Sequence, residues 1–170
     1  GEPGVIFIDR INAENPTPAL GDMESTNPCG ELPLLPFEAC NLASIDVGKL
    51  VVDGKFDWPR LGERVALGVR FLDDVIDVNH YPLPQIEAIT RGNRKIGLGV
   101  MGFADALIRM GIAYDSDAAL AVADELGAFI VQHAQAASAE LTRERVACAH
   151  GKVSRWERQG ARPLRNATTT

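Results

Sequence analysis

The sequence predicts an α/β fold, because its two parts have different textures. Residues 1–56 are rich in Pro and Gly, and their short apolar runs, such as the one from Val5 to Ile8, predict short strands or helical turns. After residue 57 the apolar residues recur at helical spacing. The 170 residues are 46% hydrophobic and 24% charged, which is typical of a globular protein with a sizeable core. Because helix dominates after residue 57, an all-helical fold is the alternative.

The first long helix is predicted from Trp58. Asp57 is the predicted N-cap, Pro59 lies in the first turn, and the helix is expected to end before the segment from Tyr81 to Pro84. Its apolar residues recur at steps of four, four, three and four, at Leu61, Val65, Val69, Leu72 and Ile76.

A short helix over Gln85 to Thr90, an apolar Ile96-Gly-Leu-Gly99 segment and a helix from Phe103 to Met110 are predicted next. A long alanine-rich helix should follow, capped near Ser116 and reaching about Ala147. The predicted apolar stripe of this helix is Leu120, Ala123, Leu126, Ile130, Ala134, Ala137 and Leu141.

These segments are expected to form one unit over residues 1–170, with no internal repeat and no linker. Residues 1–56 would hold loops and short strands, 57–150 the helices, and 151–170 a polar loop leading to a strand. Because the chain begins at Gly1 and stops at Thr170, we interpret it as a piece of a longer protein.

Charge and cysteine usage exclude several classes of function. A net charge of -6 and a pI near 5.1 argue against a nucleic-acid polymer as partner. No run of 18 apolar residues predicts a membrane span, and no signal peptide is recognisable, so a cytoplasmic location is expected. The three cysteines are too few and scattered for a secreted disulfide framework, which makes a catalytic or redox-active cysteine the better expectation.

The segment from Ser25 to Glu31 carries the clearest chemistry. Asn27, Cys29 and Glu31 alternate, so in extended backbone an amide, a thiol and a carboxylate project to one side. A straight strand would separate Asn27 from Glu31 by roughly 13 Å, too far to grip one small substrate, so the segment is expected to curl. Pro28 and Gly30 suit a tight, exposed loop. The alternative is that Cys29 is a buried small apolar residue.

Four segments in order resemble ribonucleotide reductase large subunits, in the form typical of the adenosylcobalamin-dependent class. The stretch from Asn27 to Ile45, with Asn-Pro-Cys-Gly-Glu at its start, resembles the family's finger loop and following strand. The other three are Gly1 to Asn12, Gly92 to Asp105 and Arg165 to Thr170. A resemblance that extends over nearly the whole chain is more specific than a single five-residue match.

The resemblance implies a role for four residues. Cys29 would become a thiyl radical and abstract the 3′ hydrogen of a ribonucleotide. Glu31 would be the general base for the 3′ hydroxyl, and Asn27 would hydrogen-bond the ribose hydroxyls. Cys40 would be one member of the dithiol that supplies two electrons, with its partner expected upstream of Gly1. A disulfide between Cys29 and Cys40 is the alternative, which a cytosolic environment disfavours.

The resemblance also implies the fold, the cofactor and the partners. The chain would form part of a ten-stranded α/β barrel with the Cys29 loop at its centre. Adenosylcobalamin would start the radical, a thioredoxin-like protein would be the external dithiol reductant, and the substrate would be a ribonucleoside di- or triphosphate. A homodimer of the full-length protein is compatible with the family. The alternatives are a reductase with a separate di-metal radical subunit, and a chain that as isolated is an inactive helical or structural fragment.

Several other sequence features are better explained by packing or by surface exposure than by a functional site. The glycines of Gly97-Leu-Gly-Val-Met-Gly102 match a dinucleotide-binding pattern, but close packing of strand on helix is the preferred interpretation because polar residues precede them. The basic residues Arg91, Arg94 and Lys95 are expected to be solvated, with phosphate binding as the alternative. Glu38 and Asp46 are also expected at the surface, and Cys148 in the core. The absence of C-x-x-C and H-x-x-x-H patterns predicts no metal site.

Overall fold

The computed structural model describes residues 4–155 and 163–169. Within these ranges the α-helices are α1 (Ile8–Ala13), α2 (Trp58–Val78), α3 (Pro84–Asn93), α4 (Phe103–Met110) and α5 (Asp117–Arg145). The strands form three pairs, β1 (Ser25–Thr26) with β2 (Pro33–Leu34), β3 (Asn41–Asp46) with β6 (Ile96–Met101), and β4 (Val51–Val52) with β5 (Lys55–Phe56). The predicted α/β class is confirmed, and the all-helical alternative is wrong.

The strands β3 and β6 form a parallel pair at the centre of the fold. Their register runs from Asn41 opposite Ile96 to Asp46 opposite Met101. The helices α2 and α3 lie between them in the chain and form the crossover that parallel strands require. Ile96 in β6 has no exposed surface and belongs to the core cluster that α2 covers.

The helix α2 forms where the sequence predicts it. Asp57 caps it by accepting a hydrogen bond from the Arg60 backbone N–H at 3.1 Å. The predicted apolar stripe is at most 2% exposed and packs against β3, β6 and α5, and it consists of Leu61, Val65, Val69, Leu72 and Ile76.

The helix α5 begins as predicted, with the Ser116 side chain as its cap. It ends at Arg145, two residues before the predicted end. The predicted stripe is wrong at its first two positions, because Leu120 and Ala123 are exposed. Ala119 is buried instead, on the same face as the correctly predicted Leu126, because the seven residues between them make nearly two turns of about 3.6 residues each. The six residues from Leu120 to Leu126 leave those two side chains on different faces.

The strand β6 contains the first two glycines of the dinucleotide-like pattern. Gly97 and Gly99 therefore lie inside a strand, where a phosphate-binding turn would need them in a loop between strand and helix. Gly102 follows with φ of +71° and is the N-cap of α4. A Cβ atom on Gly97 would overlap the Leu42 side chain of β3, and one on Gly102 would overlap the Asp46 carboxylate. Gly97 and Gly102 therefore serve close packing, but against side chains of the neighbouring strand β3 and not, as the sequence predicted, against a helix.

The tail lies beside the start of β6. Ala167 donates its backbone N–H to the Asn93 carbonyl at 2.9 Å, and the Thr168 hydroxyl donates to the Ile96 carbonyl at 3.3 Å. Residues 163–169 have no strand assignment in the structure, so the strand to which the tail was expected to lead stays a prediction. Residues 156–162 and 170, which the same prediction covers, lie outside the described residues.

The described residues hold only two-stranded sheets and do not close a barrel. The structure therefore gives the mixed α/β content of the prediction and not the ten-stranded barrel itself. Among the described residues, no helix is both long enough and apolar enough to cross a membrane.

Candidate active site

The hairpin of β1 and β2 presents Cys29 at its tip. The Asn27 N–H donates to the Leu32 carbonyl at 3.1 Å, and the Gly30 N–H donates to the Asn27 carbonyl at 3.0 Å. Gly30 has φ of +82°, a conformation that glycine adopts without steric cost. The structure thus shows the curled loop that the sequence predicts. Cys29 is exposed there, so its interpretation as a buried apolar residue is wrong.

Curling brings Asn27 and Glu31 into direct contact. The Asn27 Nδ2 group donates a hydrogen bond to the Glu31 Oε1 atom, and the Leu32 N–H donates to Asn27 Oδ1 at 3.0 Å. Both polar ends of the Asn27 amide are therefore used within the loop. As a result the Glu31 carboxylate is held on the same short loop as the Cys29 thiol.

Cys40 lies immediately before β3 and is half-buried. Burial raises the pKa of its thiol, the carboxylates of Glu31 and Glu38 raise it further, and the ammonium group of Lys95 lowers it. The thiol is therefore protonated at neutral pH. The influence of Glu31 also shows that the hairpin loop lies within electrostatic reach of Cys40. Cys29 and Cys40 are both free thiols in the structure, without the alternative disulfide.

A buried ion pair that the sequence did not predict lies beside Cys40. Glu38 is 8% exposed and Lys95 is 1% exposed, with Lys95 Nζ 2.7 Å from Glu38 Oε2. The Asn93 amide donates to Glu38 Oε1 at 2.6 Å, and the Leu35 N–H donates to Glu38 Oε2 at 2.9 Å. Burial lowers the pKa of Lys95, and the Glu38 carboxylate opposes that shift. The expectation that Glu38 and Lys95 are solvated is wrong, because each satisfies the other's charge in the interior.

Arg94 is also buried, in a second network centred on Asp73 of α2. Arg94 Nε and Arg165 Nε donate to the two oxygens of the Asp73 carboxylate at 2.8 Å each, and Asn166 Nδ2 donates at 3.0 Å. Burial favours the neutral acid, but hydrogen bonds and charges from Arg94 and Arg165 outweigh it and hold the pKa of Asp73 below its ordinary value.

The same network bears on whether the basic residues Arg91, Arg94 and Lys95 are solvated or bind a phosphate. Because Asp73 and Asp77 engage the Arg94 guanidinium, both the solvated interpretation and phosphate binding are unsupported for Arg94. Only Arg91 matches the expectation of a surface residue, where it pairs with Glu87.

Other predicted residues have simpler positions. Cys148 is buried, as expected, and burial raises the pKa of its thiol. Asp46 is partly exposed and pairs with the exposed Lys49 at 3.1 Å. Within the described ranges, no group of three or more His, Cys, Asp or Glu side chains is placed to hold a metal ion.

The fold and the site together define a mixed α/β domain with a cysteine-bearing hairpin loop beside a second, half-buried thiol. Residues 1–163 match the family model described as "Ribonucleotide reductase, barrel domain". The chain therefore belongs to the ribonucleotide reductase barrel-domain family.

Relatives from two organisms share about half of their aligned residues with this chain. A vitamin B12-dependent ribonucleoside-diphosphate reductase of Thermoplasma acidophilum is 52% identical over 170 residues, covering 99% of the chain and 22% of the relative. One of the same description from Mycobacterium tuberculosis is 51% identical, covering 100% and 24%. A ribonucleoside-diphosphate reductase subunit alpha of Chlamydia pneumoniae is 36% identical, covering 96% and 16%. The chain thus spans less than a quarter of the length of these relatives.

Proposed function

We propose that the full-length protein reduces ribonucleotides to 2′-deoxyribonucleotides through a thiyl radical on Cys29. The observation that carries the proposal is the hairpin loop, where the exposed Cys29 thiol lies on the same tight turn as the Asn27–Glu31 pair. Family membership and the names of the relatives support the same reaction. The ten-stranded barrel around this loop is part of the proposal.

In this proposal each residue of the loop has one task. The Cys29 radical takes the 3′ hydrogen atom of the ribose, and the Glu31 carboxylate accepts the 3′ hydroxyl proton. The Asn27 amide orients both the carboxylate and the ribose hydroxyls. Because the loop already holds Glu31 against Asn27, the base needs little reorganisation when substrate binds.

Cys40 would be one thiol of the reducing pair. The 2′ hydroxyl leaves as water, and two thiols become a disulfide as they supply two electrons and two protons. A thiol that stays protonated at neutral pH suits this role, and the raised pKa of Cys40 gives it that property. The second thiol would come from elsewhere in the full-length protein, and an external dithiol, such as a thioredoxin-like protein, would restore the pair.

We also propose adenosylcobalamin as the cofactor, since the two more similar relatives are named vitamin B12-dependent. When bound, this cofactor supplies the 5′-deoxyadenosyl radical that oxidises Cys29. Cys29 fits such a cofactor because its thiol is exposed at the loop tip, where a radical source outside the hairpin reaches it. A separate di-metal radical subunit is the competing proposal. A ribonucleoside diphosphate substrate matches the names of the relatives. We further propose a homodimer and a cytoplasmic location for the full-length protein.

The test is deoxyribonucleotide formation by the full-length protein with a dithiol, a ribonucleoside diphosphate, and adenosylcobalamin either present or omitted. We expect strict dependence on the cofactor. We also expect that Cys29→Ser abolishes turnover, while Cys148→Ala, which changes a buried cysteine outside the loop, retains it. Activity that needs an added metalloprotein would keep the reaction and replace the cofactor, and substantial activity in Cys29→Ser would overturn the proposal.

A further inference from the structure

Lys95 and Cys40 are neighbours across the central sheet. In the parallel register Asn41 lies opposite Ile96, and Cys40 and Lys95 directly precede these two residues. Adjacent strands lie about 4.8 Å apart, so the two backbones are close at this end of the sheet. The sheet itself thereby fixes a lysine next to the second thiol of the candidate site.

The Lys95 ammonium group also contacts the hairpin that carries Cys29. It donates to the Pro33 carbonyl of β2 at 3.3 Å and lies 3.6 Å from the Met23 sulfur, two residues before β1. Its third contact is Glu38, at 2.7 Å. The buried Lys95 side chain, at the start of β6, therefore contacts both the hairpin and the loop that leads to Cys40.

Glu38 completes this arrangement, because its carboxylate makes three hydrogen bonds to groups of the site. Its carboxylate accepts from Leu35 N, Asn93 Nδ2 and Lys95 Nζ. A buried ion pair adds little net stability, since removing both charges from water offsets much of their attraction. When all its hydrogen bonds are made, such a pair instead fixes the relative positions of the segments that carry it.

We propose that Lys95 is a positioning residue for the proposed ribonucleotide reduction: it holds the Cys29 hairpin against the Cys40 segment and supplies the positive charge next to the Cys40 thiol. The catalytic importance of Lys95 rests on the proposed function, whereas its effects on Cys40 and on the hairpin are tested without any assay of activity. The charged groups that act on Cys40 are Glu31 from the hairpin, Glu38 from its own loop and Lys95, which directly precedes β6. Of these three groups only Lys95 is a cation, and its effect on the Cys40 thiol opposes that of the two carboxylates.

The test compares Lys95→Met with Lys95→Arg in the full-length protein after reduction. Alkylation of Cys40 by iodoacetamide is followed against pH by peptide-resolved mass spectrometry. We expect the Lys95→Met profile to move to higher pH, with at least a threefold slower reaction of Cys40 at pH 8, because the thiolate loses its neighbouring cation. Lys95→Arg should retain the wild-type profile, and so should Lys49→Met, which removes an exposed lysine.

The second readout is hydrogen exchange. Loss of the contact to Pro33 should speed exchange of the hairpin amides, residues 24–34, at least tenfold, while the amides of α2 stay unchanged. An unchanged Cys40 profile, or exchange that rises equally in the hairpin and in α2, would overturn the inference. If Lys95→Met alone does not fold, the double variant Glu38→Gln with Lys95→Met replaces it, because that variant leaves no unpaired buried charge. Faster exchange of the hairpin alone would then support the inference, and an equal rise in the hairpin and in α2 would overturn it.

The kinetic consequence separates this inference from the proposed function. If the protein is a reductase, Lys95→Met should lower kcat at least tenfold with KM within about twofold, because positioning affects the reaction more than substrate binding. A wild-type protein that lacks reductase activity while its Cys40 profile shifts in Lys95→Met would refute the function and leave the electrostatic role of Lys95 standing.

Discussion

The Glu31 carboxylate has a fixed position on an exposed loop. Its carboxylate is held by the Asn27 amide on an exposed loop, and its charge raises the pKa of the Cys40 thiol. In the proposed reaction this carboxylate accepts the proton of the substrate hydroxyl.

Replacement of Glu31 by Gln tests this role with little change of shape. Gln keeps an oxygen that accepts the hydrogen bond from Asn27, so the loop should keep its conformation, whereas the proton acceptor is lost. We expect kcat of the full-length protein to fall by about 10²-fold or more, with KM nearly unchanged. Glu24→Gln, an exposed carboxylate at the other end of the hairpin, is the control. An effect of Glu31→Gln on KM alone would argue against a general base.

The residue-scale predictions from sequence succeeded for the loop and failed for the ion pair. Asn27, Cys29 and Glu31 lie within five residues, so Pro28 and Gly30 were enough to indicate their curled arrangement. Glu38 and Lys95 are 57 positions apart in the sequence. Their pairing depends on the register of β3 and β6, which no local pattern contains.

The helix α5 also has some features that local sequence sets and others that tertiary contacts set. Its start and approximate length follow from the Ser116 cap and the apolar content, which are local signals. Which face is buried depends on where α2 crosses it. The sequence placed both Leu120 and Leu126 in the core, but Leu120 is 66% exposed and Leu126 is 3% exposed.

These two leucines provide a matched test of the observed face. We expect Leu126→Ala to lower the free energy of unfolding by about 2–5 kcal/mol, because it removes buried methyl groups and leaves a cavity. Leu120→Ala should change it by no more than about 0.5 kcal/mol. Chemical denaturation measures both, and equal losses for the two variants would show that the buried face is assigned incorrectly.

Gly97 in β6 and Gly102 at the start of α4 should differ in their importance for stability. Gly102 has φ of +71° and lies against Asp46, whereas Gly97 is in extended strand against the exposed Leu42 side chain, which can move. We expect Gly102→Ala to destabilise the protein by about 1–2 kcal/mol from backbone strain alone. Gly97→Ala should cost less than Gly102→Ala. Thermal unfolding of the two variants checks the order, and the reverse order would contradict this account.

Asp73 connects distant segments of the whole molecule. It lies on α2 with no exposed surface and pairs with Arg94 after α3, Arg145 at the end of α5 and Arg165 in the tail. The two oxygens of this one carboxylate thus connect four segments, and Asn166 adds a further hydrogen bond.

Replacement of Asp73 by Asn should leave three arginines with less compensation in the interior. We expect a loss of about 3–5 kcal/mol in the free energy of unfolding near neutral pH. Asp74→Asn, which changes the neighbouring and partly exposed partner of Arg145, should cost at most about 1 kcal/mol. Similar losses for the two variants would contradict a central role for Asp73.

The pH dependence of stability provides a separate check on Asp73. Its pKa in the folded protein lies below the unfolded value of about 3.9, so the ionised carboxylate contributes stability that is fully present above that pH. This contribution is lost as the pH falls through the folded-state pKa. We therefore expect stability to decline less steeply in acid for Asp73→Asn than for the wild type, as measured by denaturation at several pH values below 5. An unchanged slope would show that Asp73 is not a main source of acid sensitivity.

The sequence by itself determined the features that depend on neighbouring residues. These are the α/β class, the start and apolar face of α2, the curled loop that presents Cys29, and the family resemblance that the comparisons confirm. Each follows from short-range rules of capping, periodicity and turn formation.

Only the tertiary structure decided which charges are buried and what they contact. Arg94 and Lys95 follow each other in the chain, yet one pairs with Asp73 of α2 and the other with Glu38 beside Cys40. A charged side chain is stable in the interior only where a distant partner satisfies it, and the crossover between β3 and β6 brings those partners into place. For this reason the surroundings of the second thiol could be read only from the folded chain.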